Sequence, residues 1–245
     1  MAKDYQEIGH VAGIYRYPVK SMGGEKLDQV KVGWHGLNGD RRFAFLRTGN
    51  LTGLPWLSIR QFPKLITYCA RFEDPTNNES SEIIVKSPQG IDFPIHSREL
   101  LIEIETGSKL NLELIQLWRG AFDSMTISLI SAKSIRLIEE KINQSLEIER
   151  FRPNIVMELD GDKLFPEDKI IGELIVFGDR DNSARIRIFR KDLRCMAVNL
   201  NPRTAVQEPK VLKEIVTNRK NFLGVYGGTE RTGLIQQGDP IYLAK

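Results

Sequence analysis

The sequence predicts a mainly β protein with a few helices, α+β in class, in which a β-rich N-terminal domain precedes a second β-built domain. Three observations carry this. Short apolar runs recur with turn formers between them, the spacing of a barrel or sandwich. Helical periodicity sets in late, near Ser131, and returns after Pro209. Finally, 245 residues of which 41% are hydrophobic can bury one large core or two small ones without disulfides or metals as staples.

Along the chain, the first half yields strands at residues 10–16, 27–32, 41–46, 65–72, 82–86, 100–105 and 110–117. Pro18, Gly23-Gly24, Asn38-Gly39-Asp40, Pro75-Thr76-Asn77-Asn78 and Pro88-Gln89-Gly90 separate them as turns, because these residues supply fixed or positive φ. The period changes where Ile135, Ile138 and Ile142 fall three and four apart, the buried stripe of a helix ending about Asn143. A domain boundary near Gly120 then divides the chain into residues 1–120 and 121–245. Strands resume at 154–159, 170–177 and 186–189. A second helix begins near Pro209 and turns Val211, Leu212, Ile215 and Val216 inward. A strand pair, 222–226 and 241–243, closes the chain, and no internal repeat or low-complexity tract is present.

Composition excludes several function classes. A net charge of +3 is too small for a dedicated nucleic-acid binder or a polybasic membrane arm, so any cationic site must come from local clustering. No run of about 18 apolar residues provides a membrane segment, and the N-terminus lacks a basic or apolar leader, so a cytoplasmic protein is expected. Cys69 and Cys195 are too few for a disulfide framework, a four-cysteine zinc site or an iron–sulfur cluster. His10, His35 and His96 are scattered without metal-ligand spacing. Common hydrolase, P-loop and dinucleotide signatures are absent.

The chemistry-bearing candidates are one thiol and a set of cations. Cys195 lies in Arg190-Lys191-Asp192-Leu193-Arg194-Cys195-Met196, where nearby positive charge favours the thiolate that attacks electrophiles or ligates a soft metal. An inert, buried cysteine is the alternative there. Cys69, in an apolar strand beside only Arg71, reads as a packing residue. Lys20, Arg41, Arg42 and Arg60 stand next to turns. Such loop cations can converge on an anion, or each can be a solvated surface charge. Arg152 and Asn154 pair a fork donor with an amide at the start of a strand. Ser128 and Ser131 precede a helix whose free N–H groups favour anions, with a plain N-cap the other reading of Ser131. The Gly227-Gly228-Thr229 turn is a weaker candidate for phosphate approach.

Taken in order, Tyr-Pro-Val-Lys-Ser at 17 to 21, Gly-Asp-Arg-Arg at 39 to 42, Arg-Gln-Phe-Pro at 60 to 63, Arg-Phe-Arg-Pro-Asn-Ile-Val at 150 to 156, Arg194-Cys195 and Gly-Asp-Pro-Ile-Tyr-Leu at 238 to 243 resemble the MOSC family, named after the C-terminal domain of molybdenum cofactor sulfurases. The likeness runs from about Ile8 to the C-terminus and implies an N-terminal β-barrel domain followed by a MOSC β-barrel domain. It also implies a molybdenum cofactor, Mo-molybdopterin, with Cys195 as the protein's metal ligand and catalytic residue. Lys20, Ser21, Arg41, Arg60, Arg152 and Asn154 would hold the pterin phosphate, with Ser131 and Arg194 as further cofactor-binding positions.

The layout is most similar to amidoxime-reducing members of the family. This implies an oxidoreductase that reduces N-hydroxylated compounds, or related N-oxides and S-oxides. Electrons would come from a separate protein, a flavin reductase or an iron–sulfur or haem carrier. Two other functions stay open: a cofactor or sulfur carrier that takes a persulfide on Cys195 from a cysteine desulfurase, and a non-catalytic cofactor-binding module. Where relatives commonly continue with Thr-Thr-Val-Asp-Pro after the cysteine, this chain has Val198-Asn199-Leu200-Asn201-Pro202, so a shifted substrate preference is expected.

Overall fold

The computed structural model describes residues 5–75 and 81–244. Strand β1 (Tyr5–Arg16) is followed by β2 (Glu25–Leu27), β3 (Gln29–Gly33), β4 (Gly36–Leu37) and β5 (Phe43–Arg47). After a 3-10 turn at Pro63–Thr67 come β6 (Cys69–Phe72), β7 (Ile83–Lys86), β8 (Asp92–Pro94), helix α1 (Arg98–Ser108) and β9 (Leu112–Gln116). The second half holds β10 (Ile127–Ser131), α2 (Ala132–Ile142), β11 (Ile155–Leu159), β12 (Leu174–Phe177) and β13 (Arg185–Leu193). It ends with α3 (Lys210–Arg219), β14 (Phe222–Arg231), β15 (Gly233–Gln236) and β16 (Pro240–Ala244).

The large sheet has the order β11-β10-β14-β13-β12-β16-β1-β2, and β1 also pairs with β11, so the sheet closes on itself as a barrel. A strand from the first sixteen residues thus completes a barrel whose remaining wall is drawn from residues 127–244. Val11 and Ile14 on β1 reach the same fully buried core as Ile127, Leu129, Ile155, Met157, Ile186 and Ile241. Gly9 lets β1 lie this close to β11. At its φ of 142°, a side chain would be strained, and a Cβ there would sit 2.1 Å from the Glu158 carbonyl oxygen. The β10 and β11 strands run parallel, and α2 is the crossover between them. A second core joins β5, the β6-β7-β8 sheet, α1 and β9, and Leu200, beyond Cys195, packs into it. A third lies under α2 and α3 around Ile138, Phe151, Val211 and Ile215.

Several sequence expectations are corrected. Residues 100–105 are helical: the alternation in Leu101-Ile102-Glu103-Ile104-Glu105 resembles a strand, but Leu100 and Ile104, four apart, face the second core. The Ser97 hydroxyl caps this helix, accepting from the Leu100 N–H at 3.3 Å. The strand expected at 65–72 begins only at Cys69, since Leu65 and Ile66 bury themselves from a 3-10 turn. Cys69 itself is exposed, not packed. The strand expected at 170–177 starts at Leu174, after a 3-10 turn at Pro166–Ile170. Val216 is 48% exposed, while Val211 and Ile215 carry the inward face of α3. Finally, β14 and β16 do not pair with each other: β14 lies between β10 and β13, and β16 between β12 and β1. Of the turn expected at 75–78, residues 76–78 lie outside the described residues.

Candidate functional site

Tyr17 follows β1 and is fully buried, and its ring is the floor of a cation cluster. The Arg152 guanidinium stands 4.4 Å and that of Arg41 5.1 Å from the ring centroid, both within cation–π range. Asp40 ties this floor to the barrel. It is 1% exposed and accepts from the Tyr17 N–H at 2.7 Å, from the Asn154 amide at 3.0 Å and from Arg41. The Asn154 amide donates also to the Tyr15 carbonyl at 3.3 Å, and its oxygen accepts from the Ser128 N–H at 3.1 Å. Lys20 is 5% exposed and donates to the Ala121 carbonyl at 2.8 Å and the Asp123 carboxylate at 2.7 Å.

The ion pairs are unevenly shared. Asp40 pairs with Arg41 and Asp123 with Lys20, and the Glu149 carboxylate also acts on Tyr17. Arg152 makes no ion pair among the described residues and donates to the Met22 carbonyl at 2.6 Å. Burial, reinforced by the like charge of Arg41, pushes its pKa down to about 10. Burial also lowers Lys20, although Asp123 opposes the shift. The buried Tyr17 hydroxyl has no hydrogen-bond partner among the described residues. Ser21, Arg41 and Arg152 all hold left-handed backbone, with φ of 66°, 52° and 51°, a conformation non-glycine residues keep only where surrounding contacts impose it.

Cys195 lies two residues beyond the end of β13 and is exposed. Its neighbour Arg194 is buried, donating from Nε to the Leu223 carbonyl at 2.6 Å and from Nη1 to the Phe151 carbonyl at 2.8 Å. Phe151 immediately precedes Arg152, so Arg194 couples the backbone at the thiol to the cradle. Asp192, 2% exposed, pairs with Arg194 at 3.0 Å and accepts from the Ser128 hydroxyl at 3.0 Å, and burial raises its pKa. Burial, with Asp192 adjacent, also pushes the Tyr226 phenol up to about 12. On the other side, the fully buried Arg150 donates to the Val198 and Asn199 carbonyls, at 3.2 and 3.1 Å, fixing the turn after Cys195.

The structure therefore gathers Lys20, Arg41, Arg152 and Asn154, with Ser21 beside Lys20, and links them through Arg194 to the segment bearing Cys195. Arg60 is exposed and forms no side-chain hydrogen bond or ion pair among the described residues. Ser131 is fully buried at the N-cap position of α2, but its hydroxyl caps nothing and has no partner among the described residues. Tyr17, Asp40 and Asp192 were in view within the motifs, yet only their contacts reveal what they do; Tyr226 carries no sequence signal. The departure after the cysteine has local uses. Val198 is buried, the Asn199 oxygen accepts from the Leu212 N–H at 2.9 Å in the first turn of α3, and Asn201 bonds Glu147 at 3.0 Å. Two clefts lie elsewhere: one of about 870 Å³ includes Phe62, Tyr68, Glu103 and Arg203, and one of about 270 Å³ includes Cys69, Arg71 and Lys86. No helix among the described residues is long and apolar enough to cross a membrane.

Similarities to known proteins follow this geometry. The MOSC N-terminal beta barrel domain matches residues 8–126 and the MOSC domain residues 118–242. Mitochondrial amidoxime-reducing component 1 of Xenopus laevis is 24% identical over an alignment covering 98% of this chain and 84% of that protein. Mitochondrial amidoxime reducing component 2 of Homo sapiens is 22% identical, covering 97% and 84%. The crystal structure of the YUAD protein from Bacillus subtilis superposes with a TM-score of 0.52 at 15% identity, covering 98% of this chain and 97% of that one, a likeness of fold. Two consecutive matches spanning residues 8–242, over a chain whose first strand closes the barrel of its second half, mean that this protein belongs to the MOSC family.

Proposed function

We propose that this protein binds a molybdenum–pterin cofactor between the cation cradle and Cys195, and reduces N-hydroxylated compounds with electrons delivered by a separate protein. The observation that carries the reading is Arg152, a half-buried guanidinium that shares the Tyr17 ring with a second one, Arg41, and has no ion pair among the described residues. A partly buried cation without an ion pair is costly, and an anionic ligand offsets that cost. The donors fit the group. Arg41, Arg152 and Lys20 suit a phosphate, and the exposed Cys195 thiol suits a soft metal. The names of the amidoxime-reducing relatives point to the same class of substrate.

When bound, the cofactor supplies the two-electron chemistry. The chain's own part is to bind and orient. Cys195 would be the residue that holds the metal, and the bonds of Arg194 to Leu223 and Phe151 hold the backbone beside it. Tyr17 and Asp40 keep Arg41 and Arg152 in place as fixed donors. Lys20, from the first half of the chain, reaches Ala121 and Asp123, so both halves build the cluster.

The test is molybdenum and pterin analysis of protein made in a host with intact cofactor synthesis. Wild type is expected to carry both, and Cys195→Ser to lose the metal while keeping its fold, since a hydroxyl is a harder and less acidic ligand. Loaded wild type should reduce benzamidoxime with an artificial low-potential donor. Absence of both metal and pterin from wild type sinks the proposal. The exposed thiol also suits sulfur carriage: a loaded but inactive protein that gains one sulfur atom on Cys195 from a cysteine desulfurase would establish that reading in its place.

A further inference from the structure

Burial alternates where β13 runs out. Asp192 and Arg194, 2% and 7% exposed, turn inward, whereas Leu193, 59% exposed, and Cys195 turn outward, followed by Met196 at 43%. Cys195 is itself extended, with φ −120° and ψ −179°. Side chains two apart on an extended chain share a face and stand about 7 Å from one another. Leu193 therefore borders whatever molecule approaches the Cys195 sulfur. The nearest cations on this strand are committed elsewhere: Arg190 to the Ser124 hydroxyl at 2.7 Å and Lys191 to Asp168 at 2.7 Å. The side chains most exposed next to the thiol, Leu193 and Met196, are thus apolar, and Lys191, two residues before Leu193, is held by Asp168. Large apolar side chains left open beside a reactive group offer contact area to an apolar part of an approaching molecule.

We propose that Leu193, with Met196 beside it, forms an apolar lip that selects N-hydroxylated substrates carrying an aryl or alkyl group over small polar ones. This rests on the reductase reading above and assigns specificity to residues outside the cofactor cradle. The reacting N–OH group meets the metal side of the site, and the rest of the substrate loses apolar surface against the Leu193 side chain. The inward partners Asp192 and Arg194 are untouched by a change at Leu193, so substitution there leaves the hold on the Cys195 backbone in place.

The test compares holoenzyme of wild type, Leu193→Ser and Leu193→Met on benzamidoxime and hydroxyurea. Two readouts are taken: KM and kcat with an artificial donor, and the Kd of each compound by calorimetry without reductant. In Leu193→Ser, KM and Kd for benzamidoxime should rise about tenfold with kcat little changed, because one leucine-sized apolar contact is lost. Hydroxyurea should hardly respond, and Leu193→Met should restore the wild-type values. Equal shifts for both compounds, or none, overturn the lip. A raised KM for a protein electron donor with unchanged benzamidoxime constants overturns it as well, and makes this face a protein-docking surface. Holoenzyme that reduces neither compound defeats the reductase reading instead, and the calorimetric arm still decides the lip.

Discussion

Arg150 and Arg152 lie two residues apart in one short segment, and their surroundings are opposite. Arg150 is fully buried and its terminal nitrogens are answered: they pair with Glu147 at 3.0 Å and with Glu208, and donate to the Val198 and Asn199 carbonyls, while Nε has no partner among the described residues. Arg152 is answered by one carbonyl and an aromatic face, and stands near another cation. The difference teaches how to separate a cation whose charge the fold itself neutralises from one left without an ion pair among the described residues. Residue type and neighbourhood in sequence are alike; the balance of nearby charge is not.

The largest effect expected from this contrast is on stability. Arg150→Ala should cost about 3 kcal/mol or more, because two carboxylates and two carbonyls lose a shared buried partner. Chemical denaturation measures it, and a loss as small as that of an ordinary surface change would erase the distinction.

Arg152→Ala should behave the other way. Unfolding free energy should move by under about 1 kcal/mol, since relief of the repulsion with Arg41 offsets the lost contacts. Cofactor retention after desalting should fall about tenfold, and Arg152→Lys should rescue it poorly, because it restores charge without the planar fork. Molybdenum content against salt concentration reads this out; equal retention by all three proteins would remove Arg152 from the cradle.

A pH series sharpens the contrast further. The folded pKa of Arg152 lies at about 10, below its ordinary value, with burial as the main cause and Arg41 second. The unfolded chain therefore holds more protons from about pH 10 upward, and this residue's contribution to stability rises with pH in that window. Affinity for inorganic phosphate should fall through the same window, with proton uptake on binding, and Lys20, also lowered by burial, steepens the fall. Calorimetry in two buffers of different ionisation enthalpy checks the sign. Proton release on phosphate binding there contradicts it.

The smallest effect is expected at the other thiol. Cys69→Ser should change stability by within about 0.5 kcal/mol and leave metal content alone, since Cys69 is exposed. Metal analysis beside Cys195→Ser tests this; loss of metal from the Cys69 variant alone would reverse the ligand assignment.

Much of the fold was legible before the structure. The stripe of Ile135, Ile138 and Ile142 placed α2, and Pro209 with Val211 and Ile215 placed α3, because helical spacing is a local property of the chain. Leu101 to Glu105 misled for the same reason: an alternating pattern fits a strand or one side of a helix, and only the second core chose the helix. At the site, Lys20, Arg41, Arg152 and Asn154 were visible as cations and an amide next to turns. Arg60, of the same description, stays exposed on its own loop.

The sequence by itself determined which residue types were available for chemistry: one thiol among cations, a handful of turn-borne arginines and lysines, and an order of motifs shared with a family. It also determined the mainly β class, through short apolar runs and the turns between them. Only the tertiary structure decided that β1 closes the barrel of the second half, that Arg150 has two carboxylate partners while Arg152 has none among the described residues, and that Leu193 is exposed and Asp192 buried next to Cys195. The reason is physical. Propensity and periodicity act over a few neighbouring residues, whereas burial, charge compensation and the facing of side chains depend on groups such as Tyr17, Asp40 and Phe151, which meet only when distant segments pack together.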